Sequence, residues 1–266
     1  MIPRARKRFG QHFLHDPAVL DRIVAAIDPR RDDRLVEIGP GRGALTSRLL
    51  AAPHAALDAI ELDRDLFALL SEELPAAPHL TLHQGDALQF DFAALARNGA
   101  PTRDGRLRIV GNLPYNVSTP LLFHLLQNAS AIFDMHFMLQ REVVQRIVAA
   151  PGDDAYGRLT VMLAPWISAE HLFDVGPGAF QPPPKVWSAM VRLTIRPRPA
   201  FAVSAHFAAV VAAAFSHRRK TLRNALKDLL TREQIEAAGI DPGARPETLS
   251  PFAFNALAQT IDAQLR

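Results

Sequence analysis

The chain of 266 residues contains no cysteine. That removes structural disulfides, thiolate metal sites and any cysteine nucleophile. The 10 histidines are scattered, with no His-Glu-x-x-His or comparable ligand spacing, so no catalytic metal is expected. No apolar run reaches membrane-spanning length, and there is no internal repeat or low-complexity tract. The start, "MIPRARKRFG", is basic and lacks the apolar stretch of a secretory signal. The expectation is a soluble cytoplasmic protein. An Arg-rich, acid-poor start also fits a transit peptide, but this one is short, poor in serine and runs straight into a patterned segment.

What is present is a large apolar fraction, 48%, enough for a sizeable core and against disorder. The length suits one large domain, or one domain with a smaller appendage. The formal charge is only +3, but the sequence pI is about 9.7 and the cations cluster. Arg4, Arg6, Lys7 and Arg8 precede any acid, and "SHRRKTLRNALK" occupies 216–227. Such blocks are often solvated faces; two of them in one chain also suit a polyanionic partner.

From 34 to about 139, short apolar runs alternate with helix-like segments. "RLVEIG", "ALDAIELD", "LTLHQGD", "LRIVGN" and "DMHFMLQ" are interleaved with "GALTSRLLAA", "RDLFALLSEEL" and "STPLLFHLLQN". The alternation predicts an α/β fold: a doubly wound, mostly parallel, Rossmann-like sheet. "EHLFDVGPGAF" and "VWSAMVRLTIRP" read as two further strands around a proline-rich loop, a pair able to close the sheet as a hairpin. "RPRPAF" at 196–201 reads as a linker. Beyond it "HFAAVVAAAFSHRRKTLRNALKDLL", "TREQIEAAG" and "SPFAFNALAQTIDAQL" are helical throughout. Two domains are therefore expected, 1–199 and a small all-helical 200–266.

"LVEIGPGRGALTSRLL" is a strand, a tight glycine turn and a helix. Gly39, Gly41 and Gly43 permit positive φ and close approach of a ligand to the backbone, although a tight strand-to-helix connection alone would use them too. Glu61 ends the next strand about 20 residues on, where an acid in such folds takes ribose hydroxyls. Asp86, at the following strand end, can accept from an adenine amino group. Each acid alone reads as a helix N-cap or solvated loop residue. Together with the turn they converge on one crevice, outside the carboxyl ends of the strands. The turn is Gly-x-Gly-x-Gly rather than Gly-x-Gly-x-x-Gly, and Glu37 lies just before it. A carboxylate there repels pyrophosphate and suits a cation. S-adenosylmethionine, with ribose, adenine, sulfonium and ammonium but no phosphate, fits better than a dinucleotide.

The fourth strand carries "GNLPYNVSTP" to the same edge. Asn112 offers a side-chain carbonyl. Leu113, before proline, is held extended, so its backbone carbonyl can be aimed at a ligand. Pro114 stiffens the loop and Tyr115 offers a flat ring. Two acceptors beside an aromatic face suit a planar amine such as the 6-amino group of adenine. Accepting both its hydrogens would draw the nitrogen toward tetrahedral geometry and aim its lone pair at a sulfonium methyl. The chemistry would rest on positioning and electrostatics. Methylation at a pyrimidine ring carbon usually needs a covalent thiol, which this chain lacks. The bland alternative is a polar turn closed by proline.

These motifs, with "RKRFGQHFL", "IELDRDL", "QGDAL", "FQPPPKVWSAMV" and "FSHRRKTLRNAL", make the chain resemble the small-subunit ribosomal RNA adenine dimethyltransferases, the KsgA family, over nearly its whole length. It is also similar to the erythromycin-resistance methyltransferases and the mitochondrial transcription factor B proteins. The resemblance implies that "GQHFL" lies over S-adenosylmethionine, with His12 and Leu14 contacting it. Many relatives have Asn at the position of His12. It implies that Gly39, Glu61, Asp86 and Asn112 make the remaining cofactor contacts, with Gly41 in the same turn. Asn112, Leu113, Pro114 and Tyr115 then form the target-amine loop, and Phe180 stacks on the flipped base. Phe180 could instead pack on the proline run. The resemblance also implies ribosomal RNA of a pre-ribosomal particle as partner, with two adjacent adenines as targets. A monomer without metal or membrane is the default expectation.

In the second basic cluster Arg219, Arg223 and Lys227 recur every four residues, so a continuous helix would place them on one face, with Arg218 and Lys220 beside them. Leu222, Leu226 and Leu229 would take the core face. A basic stripe of this kind tracks phosphates. The competing reading is a non-catalytic RNA-binding assembly or transcription factor on the same fold; a third is the same chemistry on large-subunit RNA or DNA. The intact glycine turn and Asn112–Tyr115 loop favour the enzyme.

Overall fold

The structure, a computed structural model, describes residues 11–74, 77–98, 103–114, 117–216 and 220–264. Its strands are β1 (Phe13–Leu14), β2 (Arg34–Ile38), β3 (Ala56–Glu61), β4 (Leu80–Gln84), β5 (Leu107–Asn112), β6 (Ile132–Gln140), β7 (Ile167–Val175), β8 (Phe180–Gln181) and β9 (Ser188–Ile195). The helices are α1 (Pro17–Ile27), α2 (Ala44–Ala51), α3 (Arg64–Glu73), α4 (Phe92–Arg97), α5 (Ser118–Gln127), α6 (Arg141–Val148), α7 (Arg158–Leu163), α8 (Phe207–Ala214), α9 (Leu222–Ala225), α10 (Arg232–Ala237) and α11 (Pro251–Gln264).

The chain divides into two compact units. One runs up to Val144 and takes in Glu170–Ile195; the other comprises Gln145–Ala169 and the chain from Arg196 onward. The first unit carries a seven-stranded sheet in the order β4-β3-β2-β5-β6-β9-β7. Strands β4, β3, β2, β5 and β6 are parallel, and β9 returns antiparallel to β6. The order reverses at β2: the chain first winds outward to β3 and β4, then resumes on the other side at β5. That reversal opens a crevice at the carboxyl ends of β2 and β5. Every residue of β2 is buried, which is what burial of both faces by helices requires of a central parallel strand. β9 and β7 lie side by side at the sheet edge, as the proline-punctuated strand pair predicted. β8 does not join them. It leaves after a short turn to pair with β1, matching Leu14 to Phe180 and Phe13 to Gln181.

Two arginines lie inside this sheet, and sequence patterning did not expect them. The Arg108 guanidinium makes a bidentate pair with Asp134 (2.9 and 2.8 Å) and reaches Asp33 (2.6 Å) and the carbonyls of Ile27 and Asp28. Those contacts use all five of its N–H donors. Arg34 pairs with Asp58 at 2.7 Å, and His83 bonds the other oxygen of the same carboxylate. Removing Arg108 would leave two buried carboxylates without their cation, and removing Asp58 would strand Arg34, so these are demanding positions rather than tolerant ones.

The second unit packs around Tyr156, Val161, Phe207, Val210, Val211, Leu222, Leu226, Leu230, Ile235, Phe254 and Leu257. The Tyr156 hydroxyl donates to the Leu249 carbonyl at 2.7 Å. The division expected at 199/200 differs from this in two segments, 145–169 and 196–199, both of which fall in the second unit. Residues 145–169 belong with the helical unit because Tyr156 and Val161 sit in its apolar cluster, a contact across tens of residues that no local pattern announces.

The continuous helix expected from 206 to 230 is broken. α8 ends at Ala214, and α9 is a single turn ending at Ala225. The amides of Leu229 and Leu230 both donate to the Leu226 carbonyl, closing a turn. Leu222 and Leu226 are core as expected, but Leu229 is 38% exposed and Leu230 is buried in its place. The buried set is therefore Leu222, Leu226 and Leu230, four residues apart.

Candidate active site

One cavity of about 170 Å³ opens in the first unit, where the turns after β2, β3, β4 and β5 meet. Gln11–Leu14 and Phe180 line it as well. The turn after β2 has Gly39 and Gly41 at φ of 68° and 62°, the left-handed region that favours glycine. Gly41 also lacks a side chain for a steric reason, since a methyl group there would lie 3.1 Å from the Phe13 ring. The bare turn lets the β1 segment settle beside it.

Glu61 closes that turn from the neighbouring strand end. Its carboxylate accepts from the amide of Gly41 at 3.1 Å and from that of Asp63 at 2.8 Å. Burial holds its pKa above the ordinary carboxylate range, with the two amides pulling the other way. Asp86 sits two residues past β4, and its Oδ1 accepts from the Leu88 amide at 2.9 Å. Both acids line the cavity, so the local bonding and the exposure to a ligand coexist.

Glu37 is the unusual group. It is 2% exposed, it lines the cavity, and its Oε2 has no hydrogen-bond partner. No cation pairs with it among the described residues. Burial pushes its pKa up to about 7, against the pull of the Thr46 side chain and with a smaller push from the neighbouring Glu61 charge.

At the end of β5, the Asn112 amide nitrogen donates to the His12 carbonyl at 3.1 Å. This bond fixes the side chain with its own oxygen as the remaining acceptor. Leu113 is 2% exposed and its amide donates to the Met138 carbonyl at 3.2 Å. Its side chain and N–H are both occupied, which leaves its carbonyl as the group it can offer. The Pro114 carbonyl accepts from the Val117 amide at 3.2 Å.

The β1 segment is tied down from three sides. β1 pairs with β8, the His15 amide donates to the Ala179 carbonyl, and His12 Nδ1 donates to the Pro182 carbonyl at 2.7 Å. His12 and Leu14 both line the cavity. Phe180 does too, but it is 3% exposed and belongs to the apolar cluster with Leu14 and Met190. It is a packed strand residue, not a loop residue lying on the proline run. Lys220, Arg223 and Lys227 are exposed in the second unit, but α9 holds only Arg223. Lys227 falls in the turn beyond it, so the four-residue recurrence does not define one helix face. Arg4, Arg6, Lys7, Arg8, Tyr115, Arg218 and Arg219 lie outside the described residues.

Sequence reasoning missed two contributors. Leu62, half exposed, supplies an apolar wall to the cavity; the available signal was one apolar residue among the charges of "ELDRD". Gly111 lets β5 approach β2, since a methyl group on it would fall 2.6 Å from the Ile38 carbonyl oxygen. Among the described residues no three His, Asp or Glu side chains gather as a metal site, and no helix is long and apolar enough to cross a membrane.

A doubly wound sheet carrying this glycine turn, these strand-end carboxylates and this asparagine loop at its switch point defines a Rossmann-like methyltransferase. The family model described as "Ribosomal RNA adenine dimethylase" matches residues 2–263, and the chain belongs to that family. It is 56% identical over 267 residues to the "Ribosomal RNA small subunit methyltransferase A" of Pseudomonas syringae pv. syringae, covering 98% of this chain and 96% of that protein. The protein of the same name from Methylococcus capsulatus is 55% identical over 258 residues, covering 97% and 98%. Among solved structures, the 23S rRNA methyltransferase ErmE aligns with a TM-score of 0.72 and 26% identity, over 94% of this chain and 99% of that one. A dimethyladenosine transferase from Plasmodium falciparum shares the fold, with a TM-score of 0.79 at 23% identity over 95% and 98% of the two chains.

Proposed function

We propose that this methyltransferase uses S-adenosylmethionine to dimethylate the 6-amino group of adenines, two adjacent ones, in small-subunit ribosomal RNA during small-subunit assembly. The observation that carries the cofactor reading is the buried Glu37 carboxyl, which lines a ligand-sized cavity beside the glycine turn and has one oxygen, Oε2, without a hydrogen-bond partner. An ammonium would satisfy it, and a phosphate would not. Glu61 would take the ribose hydroxyls and Asp86 the adenine amino group, with Gly39 and Gly41 giving the ligand access to bare backbone. His12 and Leu14 would lie over it. When bound, the cofactor would supply a sulfonium methyl group and a neutral thioether as leaving group, so no acid is required, and the proton displaced from the methylated amine would pass to solvent.

The chain's own part is to hold the target amine. Asn112 Oδ1 and the Leu113 carbonyl accept its two hydrogens, which pulls the nitrogen out of conjugation with the ring and orients its lone pair. Pro114 keeps the loop stiff. Tyr115 and Phe180 would flank the base, Phe180 by the part of its ring that reaches the cavity. Such positioned acceptors act before the reaction and need no reorganisation during it. The exposed Lys220, Arg223 and Lys227 would contact phosphates, together with Arg218, Arg219 and the Arg4, Arg6, Lys7 and Arg8 arm. The reading places the protein in the cytoplasm as a monomer. Mass spectrometry of ribosomal RNA from cells lacking this protein tests it. Dimethyladenosine should disappear from the small-subunit RNA alone and return with the gene. Its persistence there would overturn the reading.

A further inference from the structure

We propose that Trp187 is a stacking platform for an unpaired nucleotide of the RNA substrate close in sequence to the target adenine. The inference deepens the function proposed above and rests on it. Trp187 is 51% exposed and its neighbour Val186 is 44% exposed. Single exposed apolar residues are ordinary; what distinguishes this one is its place.

Sheet register gives that place. Asn112 of β5 lies opposite Met138 of β6, and Met138 lies opposite Met190 of β9. β9 runs antiparallel to β6, so stepping back from Met190 through Ser188 to Trp187 leads toward the edge where Asn112 sits. With strands about 4.8 Å apart and about 3.4 Å per residue, Trp187 stands about 10 Å across and about 10 Å along from Asn112. That is about 14 Å in all, a distance a short stretch of extended RNA covers.

The ring is also held. A methyl group placed on Gly176 would contact its benzenoid ring at 3.7 Å. Gly176 begins the turn that leads through Ala179 to Phe180, and the Ala179 carbonyl accepts from His15. The Trp187 carbonyl accepts from the Arg141 amide at 2.9 Å. The indole is thus seated on the turn that delivers Phe180 to the cavity and ties down the β1 segment. Exposed Lys185 stands two residues away for a phosphate. An aromatic face at the rim of a site that must unstack a base, with a cation at hand, fits a flanking base better than an apolar protein surface.

The chain has only two tryptophans, so a Trp166→Phe variant reports on Trp187 alone. In the full-length Trp166→Phe protein with S-adenosylmethionine, adding small-subunit ribosomal RNA should quench the emission in a saturable way. In methyl transfer assays, Trp187→Ala should raise KM for RNA about 10-fold, the scale of one base stacked on an aromatic ring. Turnover at saturating RNA and the cofactor affinity should not change, and Trp187→Phe should recover most of the loss. Unquenched emission with wild-type methyl transfer intact would overturn the platform and leave the function standing. An unchanged KM in active Trp187→Ala would do the same. Emission that shifts with protein concentration and not with RNA would make this a self-association face instead. Absence of methyl transfer by the wild type would reject the function itself, an outcome the other arms do not mimic.

Discussion

Replacing Glu37 by Gln should stabilise the ligand-free protein in alkali while weakening its hold on the cofactor. The carboxyl is pushed from 4.5 to about 7 by burial and by Glu61. Because its folded pKa is raised, the folded state binds this proton more tightly than the unfolded chain does. The stability it contributes is fully present below about pH 4.5 and is lost as pH rises through about 7. The span is about 2.5 units, and at about 1.4 kcal/mol per unit the wild type loses about 3 kcal/mol across it. Gln has nearly the same shape and no charge, so the variant escapes that loss. At about pH 5 the two proteins should melt within a degree or two of each other. At about pH 8.5 the variant should melt several degrees higher, since about 1 kcal/mol corresponds to about 2–4 °C at this chain length. Glu61, also raised by burial, keeps some pH dependence in both. Cofactor affinity should move the other way. Losing a buried charge-assisted contact costs about 1.5–3 kcal/mol, roughly a 10- to 150-fold weaker Kd. The wild type should bind more tightly as pH rises to about 7 and release a proton on binding at about pH 6, which calorimetry in two buffers of different ionisation enthalpy reads directly. A Glu37→Gln variant no more stable than wild type at about pH 8.5, or a wild-type affinity flat from about pH 5.5 to 8, would refute the reasoning.

Asn112→Ala should cost about 100- to 1000-fold in turnover at saturating cofactor and RNA, the usual penalty for one positioned acceptor; near wild-type turnover would sink the proposed amine contact. Gly111→Ala places a methyl 2.6 Å from the Ile38 carbonyl oxygen, backbone against backbone in adjacent strands. It should cost about 1–3 kcal/mol, visible as a lowered melting temperature, and an unchanged midpoint would show that β5 and β2 can separate freely. Changing Lys220, Arg223 and Lys227 together to Gln should leave cofactor binding intact and weaken RNA binding. Each lost phosphate contact should flatten the log–log salt dependence by about 0.7 to 0.9, whereas equal slopes would mark these residues as solvated surface.

The parallel sheet and its crevice were legible because central parallel strands must be apolar on both faces, so β2, β3 and β5 announce themselves as short apolar runs bounded by turns. That Gly39, Glu61, Asp86 and Asn112 would line one cavity was legible for the same reason: each lies at or just past the end of such a run, and strand ends in this topology share one edge. What the sequence did not show depends on partners distant in the chain. Arg108 inside β5 looks like a misplaced charge until Asp33 and Asp134 are seen beside it. The bond from Asn112 to the His12 carbonyl joins residues 100 positions apart. The break between α8 and α9 hides inside an unbroken helical pattern, because helix propensity over 206–230 is high throughout and tertiary packing overrides it. Leu229 was assigned to the core by a period that stops at Ala225.

Burial alone would not have separated the functional charges from the structural ones. Arg108 and Glu37 are both buried, both on central strands, and both shifted in pKa. The difference is satisfaction. Arg108 has a partner for every donor, and its carboxylates push its pKa further up, so charge and fold stabilise each other. Glu37 has an oxygen with nothing to accept from, and its surroundings push toward the neutral form. A buried group in that condition costs stability in the empty protein unless something else is to be bound there. Its position beside the glycine turn suits the cationic group of the proposed cofactor, presented where the backbone is bare. The neighbouring Glu61 illustrates the intermediate case, since it spends two lone pairs on Gly41 and Asp63 and keeps the rest for a ligand. The three carboxylate environments run from pairing with arginine inside the sheet, through two amide partners at β3, to an oxygen without a partner at β2; on the proposed function that order runs from holding the fold together to holding the cofactor.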